Sequence, residues 1–257
     1  SAGEQGIWLD PSDFSALFQD AGETTPVTAV GQPVVRMRDK SGRGNHATLS
    51  NCTLEVDADG FYCIRPNGSN SSGVTASIDF TGTNKITCWT AVRPSSTAAG
   101  MVVELSANAT TTNGSFWGLF LNNNAAGRVS AGARPTVAAD SVRSTAATYG
   151  SGILSSFCTT IDLSLPTATD KAKIYRDKAS VATIALSEGA DTAGNFGNHA
   201  LYLFSRGGSS SYFSGDFYGL IIRGDSANES VRNYGMDFLS RRAGRVMYGK
   251  SILTFGD

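Results

Sequence analysis

The stretch FSGDFYGLII, residues 213–222, reads as a β-strand and decides the class of fold. Successive side chains of an extended chain point to opposite faces. Phe213, Gly215, Phe217, Gly219 and Ile221 therefore share one face, and Ser214, Asp216, Tyr218, Leu220 and Ile222 the other. Its second half is apolar on both faces, as in a strand that leaves a solvent edge and ends deep inside a layered structure. Upstream, residues 86–92 (ITCWTAV), 101–105 (MVVEL), 116–121 (FWGLFL), 153–163, 172–175, 181–186 and 201–204 share this β-branched, aromatic and aliphatic character. Turn-forming stretches at 67–73, 122–124, 150–152, 194–198 and 207–211 separate them. Strands and turns alternating without intervening helices predict a two-sheet antiparallel sandwich, all-β in class, rather than βαβ units.

One helix is expected after this strand. Ser226 and Glu229 form a capping box, Val231, Tyr234, Phe238 and Leu239 recur at helical spacing, and Gly244 supplies a stop. A shorter helix is expected over 11–18, with Asp10 as cap and Pro11 in the first position. The Ala/Ser/Thr-rich residues 131–147 read as a long loop or irregular edge. With 257 residues, no internal repeat and no long linker, the chain is expected to form one domain over residues 1–257.

Composition removes several function classes. Only 17% of residues are charged and the net charge is −1, so the basic footprint of a nucleic-acid binder is missing. Arg241, Arg242 and Arg245 read as a solvated helix end. No apolar run is long enough to span a bilayer. Residues 1–4 lack the basic and apolar regions of a secretion signal and read as a trimmed start or a domain cut from a longer chain. Cys52, Cys63, Cys88 and Cys158 show no metal-binding spacing. Cys52 and Cys63 are placed to bridge a hairpin, but Cys88 and Cys158 lie inside strands, and free thiols are the expected state.

Two segments carry a family resemblance. WLDPSD, residues 8–13, continues through VVRMRDKSGRGNHAT, residues 34–48; together they resemble the opening of laminin-G-like, concanavalin-A-like jelly-roll domains of bacteriophage virion and tail-tip proteins. FSGDFYGLII and the helix after it resemble the closing strand of that family. The resemblance brackets the chain; between about residues 50 and 200 it is a pattern of strands only. It implies a concanavalin-A/laminin-G-like lectin on a tail fibre or virion, hence at a virion surface or outside the cell, and a partner that is a cell-surface glycan or polysaccharide. It equally implies contact with other virion subunits or a homotrimer. In the DKSGRGNH motif, Asp39 and Asn45 flank glycines that permit positive φ, so a structural turn is the expected role, with Trp8 and His46 packed beneath it.

Catalytic signatures are missing. His46 and His199 are the only histidines, and there is no nucleophile elbow and no zinc-binding HExxH. The glucanases built on this sandwich need acids at period two, whereas Glu104, Asp162 and Asp216 stand singly. Asp140 and Asp191 do not make a calcium loop, so neither a metal nor a cofactor is expected. The expectation is a non-catalytic binding module for carbohydrate or host-surface receptors. A structural virion domain is the alternative, and a glycoside hydrolase the third reading. Sugar sites combine aromatic faces with planar polar groups on rim loops. The candidates are Tyr212, Trp117, Tyr149, Asn122, Asn123, Asn124 and Arg206. Trp117, inside an apolar run, also reads as core.

Overall fold

The computed structural model describes residues 4–122, 128–136, 141–180, 183–188 and 194–245. In chain order the strands are β1 (Gly6–Leu9), β2 (Leu17–Phe18), β3 (Arg36–Met37), β4 (Ala47–Ser50), β5 (Cys52–Val56), β6 (Tyr62–Pro66), β7 (Ser72–Asp79), β8 (Lys85–Pro94) and β9 (Gly100–Leu105). There follow β10 (Ser115–Asn122), β11 (Arg128–Arg134), β12 (Ser141–Thr148), β13 (Ser155–Asp162) and a one-turn helix α1 (Ala168–Lys171). The chain continues with β14 (Ala172–Arg176), β15 (Ala179–Ser180), β16 (Thr183–Glu188), β17 (Asn198–Leu203), β18 (Gly215–Arg223) and the helix α2 (Glu229–Arg242).

These strands make two antiparallel sheets. Sheet I runs β15-β14-β13-β8-β18-β6-β5, with β1 also on β18; sheet II runs β16-β12-β11-β10-β9-β17-β7-β4-β3-β2. The main core lies between them, and period-two patterning builds it. In β8, Ile86, Cys88 and Val92 face this core while Trp89 and Ala91 face outward. The outward side of sheet I is then covered by α2, whose Met236, Leu239 and Ala243 pack with Trp89, Cys158 and Tyr218. This cover is why the second half of β18 is apolar on both faces.

The alternation in β18 is broken by one extra residue. Its register against β8 shifts between Phe217 and Gly219. Tyr218 and Gly219 consequently both face α2, and Leu220 and Ile222 join Phe217 in the main core while Ile221 joins the outer cluster. A bulge of this kind flips the parity of everything after it, so the face assignment made from sequence holds through Tyr218 and fails from Gly219 onward. A second bulge in β10, between Trp117 and Leu119, turns Gly118 toward sheet I. There the Thr159 hydroxyl donates to the Gly118 carbonyl at 2.6 Å, a buried bond between the sheets.

Three further expectations change. Residues 11–18 hold only a 3₁₀ turn, Phe14–Ala16, capped by Asp13; Leu17 and Phe18 pair with Met37 and Arg36, and strand pairing outweighs the helical spacing. The cap of α2 is Asn228, whose Oδ1 accepts from Val231 N at 3.0 Å, not Ser226. The Thr87 hydroxyl donates to the Asp225 carbonyl and accepts from Ala227 N, which ties residues 225–227 to β8 before the helix starts. The stretch 131–147 is not a loop but most of β11 and β12, with residues 137–140 outside the described residues. Ala131 and Ala133 are buried against the core, where small side chains fit despite weak strand propensity.

The opening motif is a structural turn, as expected. Asp39 accepts from Trp8 N, Ser41 N and Asn45 N at 2.9, 2.8 and 3.0 Å. Asn45 Nδ2 donates to the Gly6 carbonyl at 2.7 Å, and His46 Nδ1 accepts from Asp39 N at 2.9 Å. The edge of β1 is thereby capped by side chains. The arginines at the end of α2 are clamps as well: Arg242 reaches Asp10 at 3.6 Å and Arg245 reaches Asp177 at 2.7 Å.

Candidate functional site

The residues singled out from sequence divide between two places. Trp117, Arg206 and Tyr212 converge on the outward face of sheet II. Trp117 packs with Met101 and Ala109, Tyr212 bridges to Met101, and the Arg206 guanidinium lies 5.2 Å from the Phe120 ring. Trp117 and Arg206 flank Glu104, which sits opposite both Trp117 and Tyr202 and is fully buried. Burial holds the Glu104 carboxyl above its usual range, opposed by Ala109 N donating at 2.6 Å and by Arg206 at 3.4 Å. Trp117 is only 2% exposed and offers no face for stacking. Tyr212 is half-buried, its hydroxyl 3.5 Å from the Gly208 carbonyl. Tyr149 is buried at the other place, one end of the core, and donates to the Ala98 carbonyl at 3.2 Å. Asn122 ends β10 opposite Arg128, and Asn123 and Asn124 lie outside the described residues, as do Asp140 and Asp191.

A cleft of about 470 Å³ opens at that same end of the sandwich. It is lined by Thr53 of β5, Arg65 and Pro66 of β6, the turn residues Asn51 and Asn67, Ser95 after β8, and Ser214–Asp216 where β18 begins. The loops are fixed by their own side chains. Asn67 Oδ1 accepts from Ser69 N and Asn70 N, both at 3.0 Å, and from the Ser71 hydroxyl at 2.7 Å. The Ser71 hydroxyl also reaches the Asn51 carbonyl at 2.8 Å, joining the two turns. Ser95 and Ser214 share a hydroxyl–hydroxyl bond of 2.6 Å. Gly215 has φ +151°, and a Cβ there would stand 2.4 Å from the Arg93 carbonyl, so only glycine lets β18 start this close to β8.

Charge in the cleft is balanced. Arg65 Nε donates to Asp216 Oδ1 at 2.7 Å, with Glu55 3.7 Å from Nη1. The Asp216 bond raises the Arg65 pKa, and the Arg65 side chain stays 43% exposed. Hydroxyls, amides and one paired guanidinium–carboxylate unit suit an uncharged, hydroxyl-rich ligand. None of the lining residues is aromatic. Sequence reasoning marked Asp216 and the 67–73 turn but not their meeting. Arg65 and Asp216 are 151 positions apart, and only the β6–β18 pairing joins them.

The three isolated acids stay apart. Glu104 lies under the outward face of sheet II, Asp216 lies in the cleft, and Asp162 ends β13 beside Lys85 at 3.4 Å. Among the described residues no three His, Cys, Asp or Glu side chains cluster as metal ligands, and no helix is long and apolar enough to cross a membrane. His199 Nε2 bonds with the Asn113 carbonyl at 3.0 Å.

No protein-family model and no curated protein sequence matches the chain. Solved structures do share its fold. Domain 4 of AbnA, an extracellular GH43 arabinanase from Geobacillus stearothermophilus, in complex with arabinotriose, superposes with a TM-score of 0.54 at 14% identity, over 77% of this chain and 91% of that one. A botulinum neurotoxin type C structure gives 0.56 at 8% identity, over 92% of this chain and 51% of its own. Trypanosoma rangeli sialidase in complex with 2,3-difluorosialic acid gives 0.53 at 14%, over 94% of this chain and 33% of its own. This chain thus spans about half the toxin structure and a third of the sialidase. At these identities the likeness is one of fold alone: a two-sheet β-sandwich.

Proposed function

We propose that the protein is a non-catalytic glycan-binding module whose site is the cleft lined by Arg65, Asp216, Asn51, Asn67, Ser95 and Ser214. The observation that carries the reading is the cleft's size and balanced polar lining at one end of a rigid sandwich. Support comes from the neighbours: one is complexed with arabinotriose, one is described as entering cells through two ganglioside molecules, and one holds a sialic acid analogue. The resemblance carried by the opening and closing motifs supports the reading of a module on a bacteriophage tail or virion surface protein, with a bacterial surface polysaccharide as partner. Dispersal of Glu104, Asp162 and Asp216 favours binding over hydrolysis, since a glycosidase needs two carboxyls across one bond.

A structural virion domain would be favoured by a broad apolar patch. The large apolar side chains most exposed among the described residues are Val30, Val56, Tyr62, Val74, Ile153 and Tyr234, and they are dispersed over several elements. The test is a panel of bacterial surface polysaccharides, with and without a calcium chelator, against the protein and its Arg65→Ala and Ser95→Trp variants. Saturable binding that is weakened in both folded variants supports the reading. Binding unaffected by either variant, or no binding across the panel, overturns it.

A further inference from the structure

A second groove lies on the outward face of sheet I, away from the cleft, between β1 and α2. Its position follows from Gly235. A Cβ there would stand 2.5 Å from Trp89 Nε1, so glycine lets α2 sit directly on the indole, which donates to the Arg232 carbonyl at 3.0 Å. The helix is lowered onto the sheet, and Tyr234 and Phe238 come down beside Ile221. Trp8 of β1 stands edge-on to Phe238, with ring centroids 5.6 Å apart. Two hollows meet here, of about 130 Å³ on the helix side and about 370 Å³ on the β1 side; Ile221 and Arg223 line both.

Tyr234 is 74% exposed, more than any other large apolar side chain among the described residues. Beside it, Arg223 is held flat by Glu4 through two bonds of 2.8 and 3.1 Å, with Asp225 at 3.8 Å. An open aromatic ring next to a planar, charge-compensated guanidinium is what a pyranose needs. The ring takes the sugar's apolar C–H face, and the fork and its carboxylate take hydroxyls. Charge compensation selects a neutral sugar over an anionic one. On α2, Arg232 turns away onto the Tyr175 ring and Asp237 pairs with Lys178 at 2.6 Å, which leaves Tyr234 as the exposed ring over the groove. A protein partner needs about 800 Å² of contact on each side, whereas among the described residues Tyr234 is the one large apolar side chain of the groove that is exposed.

We infer that this groove is a second saccharide site, independent of the cleft, which binds one neutral sugar unit against Tyr234 and Arg223. Two separated sites on one module would raise avidity for a repeating polysaccharide without any new contact. The experiment titrates defined neutral trisaccharides (gluco-, galacto-, manno- and arabino-) into the protein and its Tyr234→Ala, Arg223→Gln and Ser95→Trp variants by calorimetry. Circular dichroism checks each fold and sedimentation each mass. The expected result is that Ser95→Trp retains groove binding, whereas Tyr234→Ala weakens it by about tenfold or more. Arg223→Gln weakens it similarly. Trisaccharide binding that is the same in Tyr234→Ala and Arg223→Gln as in the parent overturns the inference, as does the lack of any binding that survives Ser95→Trp. So does a change in mass alone, which would assign the groove to a second protein chain. Loss of all binding in Ser95→Trp, with none in Tyr234→Ala, would refute the groove and keep the cleft.

Discussion

The contact between Gly118 and sheet I is the most exacting test of how the two layers pack. A Cβ at Gly118 would stand 2.5 Å from Cys88 Sγ and 3.0 Å from Val103 Cγ1, so Gly118→Ala forces the sheets apart or twists Cys88 off its rotamer. Overpacking of this kind costs about 1–3 kcal/mol. The alanine recovers roughly 0.5–1 kcal/mol by restricting the unfolded chain, which leaves a net loss of up to about 2.5 kcal/mol. Thr159→Val keeps the side-chain shape but removes the donor to the Gly118 carbonyl, leaving a buried acceptor unpaired at a cost of about 1–3 kcal/mol. For a chain of this length, a loss of about 2 kcal/mol lowers the melting temperature by about 4–8 °C. Equilibrium urea unfolding of both single variants and the double variant measures the losses and their coupling. Because the residues touch, the double variant should lose less than the sum. Both single variants within about 0.3 kcal/mol of the parent would refute the close approach of β10 to sheet I.

Three other outcomes follow from particular groups. Glu104 has a raised folded pKa, so its protonated form favours folding: that stabilisation is fully present below the unfolded value and is lost as pH rises through the folded one. The stability of Glu104→Gln relative to the parent should therefore rise between pH 4 and 7 in urea titrations, and a flat difference would contradict it. The four cysteines are buried and unbridged, with Cys52 pushed up to about 12 by burial. A thiol reagent at pH 8 should find none in the native protein and all four after denaturation. Asn228→Ala removes the cap of α2 and should cost about 1 kcal/mol, whereas Ser226→Ala should cost much less.

The central strands were legible because burial on both faces writes a dense apolar run. β8, β9, β10, β13 and β18 lie where such runs occur. β11 and β12 were not legible, because Ala131 and Ala133 earn their place by fitting under a neighbouring sheet rather than by propensity. The opening turn could be read in its Asp, Gly and Asn residues, since those side chains bond the local backbone. Of the site candidates, Trp117 and Tyr149 are buried, and the residues that line the proposed sites, Arg65, Ser95, Ser214 and Tyr234, were not among them.

The sequence by itself determined an all-β sandwich with one helix near its C-terminus and a fixed opening turn, because periodicity and turn chemistry act over a few residues. Only the tertiary structure decided which faces survive past the bulges at Gly118 and Gly219, that Asp216 meets Arg65 across 151 positions, and that Tyr234 stands open above Ile221. Those outcomes depend on strand order and on one inserted residue in each bulged strand. Neither leaves a mark in local hydrophobicity.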